Sequence, residues 1–104
     1  MSEPVHIPIL TGAILDLLEL RPGDACIDAT VNGGGHTAAF LERTAPHGRV
    51  LGIDRDPGVL ARARERHADA VATGRLTLAH GNFRDLAAIA AAHGFAAVRA
   101  VLFD

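Results

Sequence analysis

The sequence has little of what exported, membrane-bound or strongly charged proteins need. It has one cysteine in 104 residues, so no internal disulfide can form and the expected compartment is the cytoplasm. Its apolar runs are short, and none could span a bilayer. Residues Met1–Pro4 lack the basic and apolar segments of a signal peptide. Ten basic residues against twelve acidic ones give a net charge of −2, so the composition shows no excess of basic residues of the kind that binds nucleic acid.

What the sequence does contain is an alternation of helix-like and strand-like segments, 49% apolar overall. The hydrophobic spacing predicts helices over Ile9–Leu20, His36–Thr44, Pro57 to about Val71, and Arg84 to about His93. It predicts strands over Ala25–Ala29, Arg49–Asp54, Arg75–His80 and Arg99–Asp104. This order predicts an α/β fold in which right-handed crossovers build a parallel sheet. Ligands of such sheets bind beyond the carboxyl ends of the strands, so the residues there are the candidates for function.

A run of three glycines, Gly33–Gly35, follows the first strand. Glycines at a strand-to-helix turn let the backbone approach a ligand closely, and the next helix directs its free N–H groups to the same place. An ordinary flexible turn is the alternative interpretation of the same run.

The second strand ends in Asp54, whose ionised carboxylate can accept hydrogen bonds from both hydroxyls of a ribose. The alternative role for Asp54 is to cap the next helix. We assign that role to Asp56, since it directly precedes Pro57. Asp54 is therefore expected to be free at the edge of the sheet.

Phe83, one of four aromatic residues, falls just past the third strand, and Asp104 ends the fourth. A phenyl ring at the ligand-binding edge can stack on an adenine. The alternative is that Phe83 anchors the following helix to the core. Together with the glycine turn and Asp54, these residues predict a pocket for a cofactor that contains adenosine.

Two cofactor classes compete for this pocket. Gly33, Gly35 and Ala38 match the G-x-G-x-x-G/A pattern of NAD- and FAD-binding domains. However, Asp28 precedes the first of these glycines by five residues, and an acid there suits a ligand with a positive end better than a pyrophosphate. S-adenosylmethionine carries such a cationic end, and we favour it. A dinucleotide-binding domain and a nucleotide-binding module without catalysis remain alternatives.

Five motifs resemble, in order, the signatures of the MraW-type methyltransferases, which methylate the exocyclic N4 of a cytosine in small-subunit ribosomal RNA. They are His6–Leu10, Asp28–Thr30, Gly34–Thr37, Ile53–Pro57 and His80–Phe83. The resemblance implies the Rossmann-like fold of class I S-adenosylmethionine-dependent methyltransferases, of which these 104 residues supply the N-terminal half, an incomplete sheet of four parallel strands. It also implies that residues beyond Asp104 bind the ribosomal RNA, and that the first 104 residues are inactive alone.

The same resemblance implies roles for individual residues. Gly34, Gly35 and His36 contact S-adenosylmethionine, Asp54 holds its ribose, and Phe83 lies against its adenine. Asp104 lies near the methionine end of the cofactor, and it is the only candidate for a catalytic residue. The glycine run departs from the family at two positions, because Asn32 stands where the family usually has glycine and Gly33 where it often has a basic residue.

Three other groups of residues are expected to be structural. The histidines have no H-x-x-H or H-x₃-H spacing, so no metal site is predicted. Cys26 lies within an apolar strand and is expected to be a buried, inert thiol. Arg62, Arg64 and Arg66 are interpreted as a solvated helix face rather than an RNA-binding groove.

Overall fold

A computed structural model describes residues 19–31, 35–95 and 97–102 of the chain. Of the predicted helix Ile9–Leu20, only Glu19 and Leu20 are described, and neither is helical. Gly33, Gly34 and Asp104 also lie outside the described residues, so the predictions made for them stay predictions.

The described part contains four strands and four α-helices. The strands are β1 (Ala25–Asp28), β2 (Arg49–Asp54), β3 (Leu76–His80) and β4 (Ala100–Leu102). The helices are α1 (Gly35–Arg43), α2 (Pro57–Arg66), α3 (Ala68–Ala72) and α4 (Leu86–Ala92), and a 3₁₀ turn, Phe83–Asp85, precedes α4. Within these segments no helix is long and apolar enough to cross a lipid bilayer.

The four strands form one parallel sheet in the order β3-β2-β1-β4, which confirms the predicted α/β fold. Asp28 of β1 lies in register with Gly52 of β2 and with Leu102 of β4. The chain first builds outward from β1 through β2 to β3 and then returns to place β4 on the other side of β1. The order therefore reverses between β1 and β4, and a crevice for ligands forms outside the carboxyl ends of strands at such a reversal.

The core lies on both faces of the sheet because side chains alternate along each strand. On one face Cys26 and Val50 pack with Phe40 of α1. On the other face Ile27 and Leu51 pack with side chains from α4. Parallel strands that are covered on both faces are apolar throughout, and this explains why they can be located from the sequence.

The predicted helix from Pro57 to about Val71 is two helices, with the break at His67. The backbone of His67 has φ of −115° and ψ of 40°, which ends α2. Val59 of α2 belongs to a small cluster around Val31, whereas Ala70 and Val71 of α3 pack against the cluster that contains Phe40. The break allows the two parts to bury their apolar side chains in different places.

The opposite edge of the sheet, where the strands begin, is held together by Arg75. Its Nε donates to the carbonyl of Gly48 at 2.8 Å. Its Nη2 donates to the carbonyl of Leu41 at 2.6 Å and to Oγ1 of Thr44 at 3.4 Å. One guanidinium thus joins the end of α1, the turn that follows it and the start of β3.

Candidate functional site

The predicted site residues that the structure describes are Gly35, His36, Asp54 and Phe83, and all four lie at or just beyond the carboxyl edge of the sheet. Gly35 begins the helix that follows β1, Asp54 ends β2, and Phe83 follows the end of β3. Because the strands are parallel, their ends meet at this one edge, next to the reversal of strand order.

At the end of β1, Asp28 is fully buried and holds the turn that follows. Its Oδ2 accepts a hydrogen bond from Oγ1 of Thr37 at 2.6 Å, and its Oδ1 accepts one from the N–H of Thr30 at 3.3 Å. Thr37 is also fully buried. The carboxylate thus links a residue just after β1 to the first turn of α1, and the expectation that it suits a ligand with a positive end stays a prediction.

Thr37 belongs to the Gly34–Thr37 motif, but its contact with Asp28 was not predicted from the sequence. It lies in the first turn of α1, which begins at Gly35, and nine residues separate it from Asp28. The only signal was an acid at a strand end followed by a hydroxyl residue early in the next helix. Its effect is to anchor the N-terminus of α1, whose first N–H groups lack acceptors within the helix, at the carboxyl edge.

The turn after β2 is organised by two carboxylates. Asp56 caps α2 as predicted, with its Oδ1 accepting from the N–H of Gly58 at 2.8 Å and with Pro57 at the first helical position. Asp54 is half-buried, and its Oδ1 accepts from the N–H of Asp56 at 2.9 Å. The expectation that Asp54 is free is therefore wrong, since this bond fixes the direction in which its carboxylate points.

His80, the last residue of β3, joins this turn from the neighbouring strand. It lies in register with Asp54, and its Nε2 is 2.9 Å from the carbonyl oxygen of Arg55. A carbonyl oxygen only accepts, so Nε2 carries the proton and donates. The N–H of Gly81 donates to the carbonyl of Asp54 at 3.0 Å. The contact of His80 depends on the pairing of β2 with β3, and a single sequence does not reveal it.

Phe83 is the one large apolar side chain that is exposed among the described residues, at 51%. Asn82 holds it in place by accepting, through Oδ1, from the N–H of Arg84 at 3.0 Å, which caps the 3₁₀ turn. Leu86 and Ile89 pack against the core from α4. About half of the Phe83 side chain is therefore exposed at the carboxyl edge of the sheet, and its stacking on an adenine stays a prediction.

Cys26 and the arginines of α2 lie where the sequence predicts. Cys26 is fully buried, and burial, with a smaller contribution from the charge of Asp24, raises the pKa of its thiol from 9.0 to about 11. Arg62, Arg64 and Arg66 are exposed on α2. In the described segments, no three His, Cys, Asp or Glu side chains are arranged to hold a metal ion.

Comparison with known proteins identifies the family of this chain. Residues 3–104 match the sequence profile of the MraW methylase family. The ribosomal RNA small subunit methyltransferase H of Thermomicrobium roseum is 51% identical over 102 residues, which are 95% of this chain and 30% of that protein. The chain spans between 26% and 31% of the length of the curated relatives it matches.

Solved structures show the same fold. An S-adenosylmethionine-dependent O-methyltransferase from Thermotoga maritima matches with a TM-score of 0.67 at 18% identity, covering 81% of this chain and 32% of that one. TrmN from Thermus thermophilus matches with a TM-score of 0.65 at 28% identity, and the match covers 76% of this chain and 24% of that one. The fold is that of the class I methyltransferases, with part of the sheet present, and a dinucleotide-binding domain is not favoured. The sequence profile and the relatives together establish that the chain belongs to the MraW methylase family.

Proposed function

We propose that this chain is the N-terminal, cofactor-binding part of an S-adenosylmethionine-dependent methyltransferase that acts on the N4 of a cytosine in small-subunit ribosomal RNA. The observation that carries the proposal is the carboxyl edge of the sheet. There Asp54 ends β2 in register with His80, and the exposed ring of Phe83 follows three residues later. The names of the relatives support the RNA substrate. A ribosomal substrate also agrees with a cytoplasmic location.

The residues at this edge fit the chemical groups of S-adenosylmethionine. The ribose hydroxyls need an acceptor, and the carboxylate of Asp54 is one. The adenine needs a flat apolar surface, which the ring of Phe83 supplies. The methionine carboxylate needs N–H donors, and those of Gly34, Gly35 and His36 would supply them at the start of α1. Asp28, which is fully buried, contributes by holding Thr37 in the first turn of α1.

S-adenosylmethionine, when bound, supplies an electrophilic methyl group. The residues of this chain contribute mainly by positioning, since a displacement at that methyl needs its partners in line. Cytosine N4 is a weak nucleophile because its lone pair is delocalised into the ring, so an acceptor must orient the amine and receive a proton. We propose Asp104, which follows β4 in the sequence, as the nearest candidate. The residues that hold the base and the RNA would follow it in the chain.

Cofactor class is tested by titrating the intact protein with S-adenosylmethionine and, separately, with NAD in a calorimeter. We expect binding of the first and none of the second. Asp54→Ala should abolish the binding, since the ribose loses its acceptor, while Asp69→Ala, which removes an exposed acid from α3, should leave it unchanged. Binding of NAD alone would reject the proposal, and unchanged affinity in Asp54→Ala would reject the ribose role.

The reaction is tested by incubating small-subunit ribosomal RNA with the intact protein and labelled S-adenosylmethionine, followed by digestion to nucleosides. We expect the label in N4-methylcytidine. Label confined to another nucleoside would reject the cytosine-N4 assignment. Residues 1–104 alone should transfer no methyl group, because the proposed RNA-binding residues lie beyond them. Methyl transfer by these residues alone would contradict the proposal that residues beyond 104 are needed to bind the RNA.

A further inference from the structure

The turn that carries Asp54 is held by a side chain from outside it. Within the turn, Asp54 accepts from the N–H of Asp56, and Asp56 accepts from the N–H of Gly58. These bonds join near neighbours and fix the shape of the turn. Two bonds from the end of β3 hold it over the sheet: the N–H of Gly81 donates to the carbonyl oxygen of Asp54 at 3.0 Å, and Nε2 of His80 donates to the carbonyl oxygen of Arg55 at 2.9 Å. The His80 bond is the one that reaches past β2 to Arg55, the residue between the two carboxylates.

We infer that His80 is a positioning residue for the ribose-binding carboxylate. It fixes Arg55, the residue between the two carboxylates, and thereby holds Asp54 in the direction that binding requires. The inference rests on the proposed function, because it assumes that Asp54 binds a ribose. His80 itself is not expected to touch the cofactor.

The physical basis is preorganisation. A flexible turn must lose conformational freedom when the ligand binds, and that loss weakens the affinity. A hydrogen bond made before binding removes part of this loss. Since His80 is exposed, removing its ring leaves no cavity in the core, and the fold should tolerate the change. Loss of one neutral hydrogen bond corresponds to about a fivefold change in an equilibrium constant, and this is the effect we expect on the dissociation constant.

Three variants of the intact protein separate positioning from general damage. His80→Ala removes the donor. His80→Gln keeps an amide N–H at a similar distance from Cβ and should retain most of the affinity. His93→Ala is the matched control, because it removes an exposed histidine at the end of α4. The neighbouring Gly94 accepts through its carbonyl from Arg49 at the start of β2, so His93 lies at the opposite edge of the sheet.

The measurement is the dissociation constant of S-adenosylmethionine by calorimetry, with urea unfolding as a check on stability. We expect about fivefold weaker binding in His80→Ala, within twofold of wild type in His80→Gln, and no change in His93→Ala. In an Asp54→Asn background, where the ribose contact is already impaired, His80→Ala should change the affinity less than twofold.

The results that overturn the inference differ from those that overturn the proposed function. If the wild-type protein does not bind S-adenosylmethionine, the proposed function fails and the inference fails with it. If the wild type binds and His80→Ala binds equally well, only the inference is overturned. The same holds if His80→Gln is as weak as His80→Ala, or if the fivefold loss persists undiminished beside Asp54→Asn.

Discussion

Replacing Thr37 with valine removes one hydroxyl while preserving the shape of the side chain, and it tests whether the pair of Asp28 and Thr37 holds the turn after β1. The two side chains are fully buried and their oxygens are 2.6 Å apart. A hydrogen bond to a charged group contributes about 1.5–3 kcal/mol, and its loss leaves a buried carboxylate oxygen without that donor. We expect the free energy of unfolding to fall by about 2–3 kcal/mol.

Two further variants serve as controls for this prediction. Thr37→Ser keeps the hydroxyl and loses one methyl group, which costs about 1 kcal/mol. Thr44→Val removes the other fully buried threonine hydroxyl of the described residues, which donates to the carbonyl of Phe40 at 2.7 Å. That carbonyl also accepts from the backbone N–H of Thr44, so it keeps a partner. The variant also removes the acceptor of the 3.4 Å contact from Nη2 of Arg75, which keeps the carbonyl of Leu41, and we expect a total loss of about 1 kcal/mol.

Urea unfolding of the intact protein, followed by far-ultraviolet circular dichroism, measures these differences. The reasoning is refuted if Thr37→Val unfolds within about 0.5 kcal/mol of the wild type, a bound of about one-quarter of the smallest expected effect. It is also refuted if Thr37→Val loses no more stability than Thr37→Ser, because the methyl group rather than the hydroxyl would then matter.

Three other substitutions test the surrounding fold by the same unfolding measurement. The thiol of Cys26 has its pKa raised from 9.0 to about 11, so its contribution to stability is complete below pH 9 and is lost as the pH rises through 11. The stability difference between wild type and Cys26→Ala should therefore shrink by roughly 2–3 kcal/mol over that range, and parallel pH profiles would contradict this. Burial and the charge of Arg66 lower the pKa of His67, and its Nε2 is buried without a hydrogen-bond partner in the described part of the chain. At pH 8 the free energy of unfolding of His67→Leu should equal that of the wild type or exceed it by about 1 kcal/mol. Below pH 6.5 the variant should lose less stability than the wild type as the pH falls. Lower stability of the variant at pH 8 would contradict the prediction. A Cβ at Gly52 would lie 2.8 Å from Cγ2 of Val31, so Gly52→Ala should lower the free energy of unfolding by about 1–3 kcal/mol. Adding Val31→Ala should restore part of that loss. Equal stability of Gly52→Ala and the wild type would contradict the predicted clash.

Features that depend on nearby residues could be predicted from the sequence. β2 has the predicted bounds, Arg49–Asp54, around a short apolar run, and Asp56 caps α2 because an acid before a proline suits that position. The parallel sheet followed from the alternation of strands and helices. In each case the determining interaction lies within a few residues of the chain.

Features that depend on pairing between distant segments could not be predicted. The break at His67 arises because α2 and α3 pack against different clusters, which a single helical pattern conceals. The contacts of Thr37 with Asp28 and of His80 with Arg55 span nine and twenty-five residues. Their formation depends on which strand ends meet, so the sequence revealed the edge but not the bonds that organise it.

The hydrogen bonds of Arg75 make the edge where the strands begin differ in local stability from the carboxyl edge. Its guanidinium reaches acceptors 27 to 34 residues earlier in the chain, and it thereby closes a loop that contains all of β2 and α2. In a chain with one cysteine, these noncovalent bonds act as a crosslink at the edge opposite the proposed cofactor site. The carboxyl edge depends on separate bonds made by Thr37, His80 and Asn82. We therefore expect amide hydrogens beside Arg75 to exchange more slowly than those of the turns after β2 and β3.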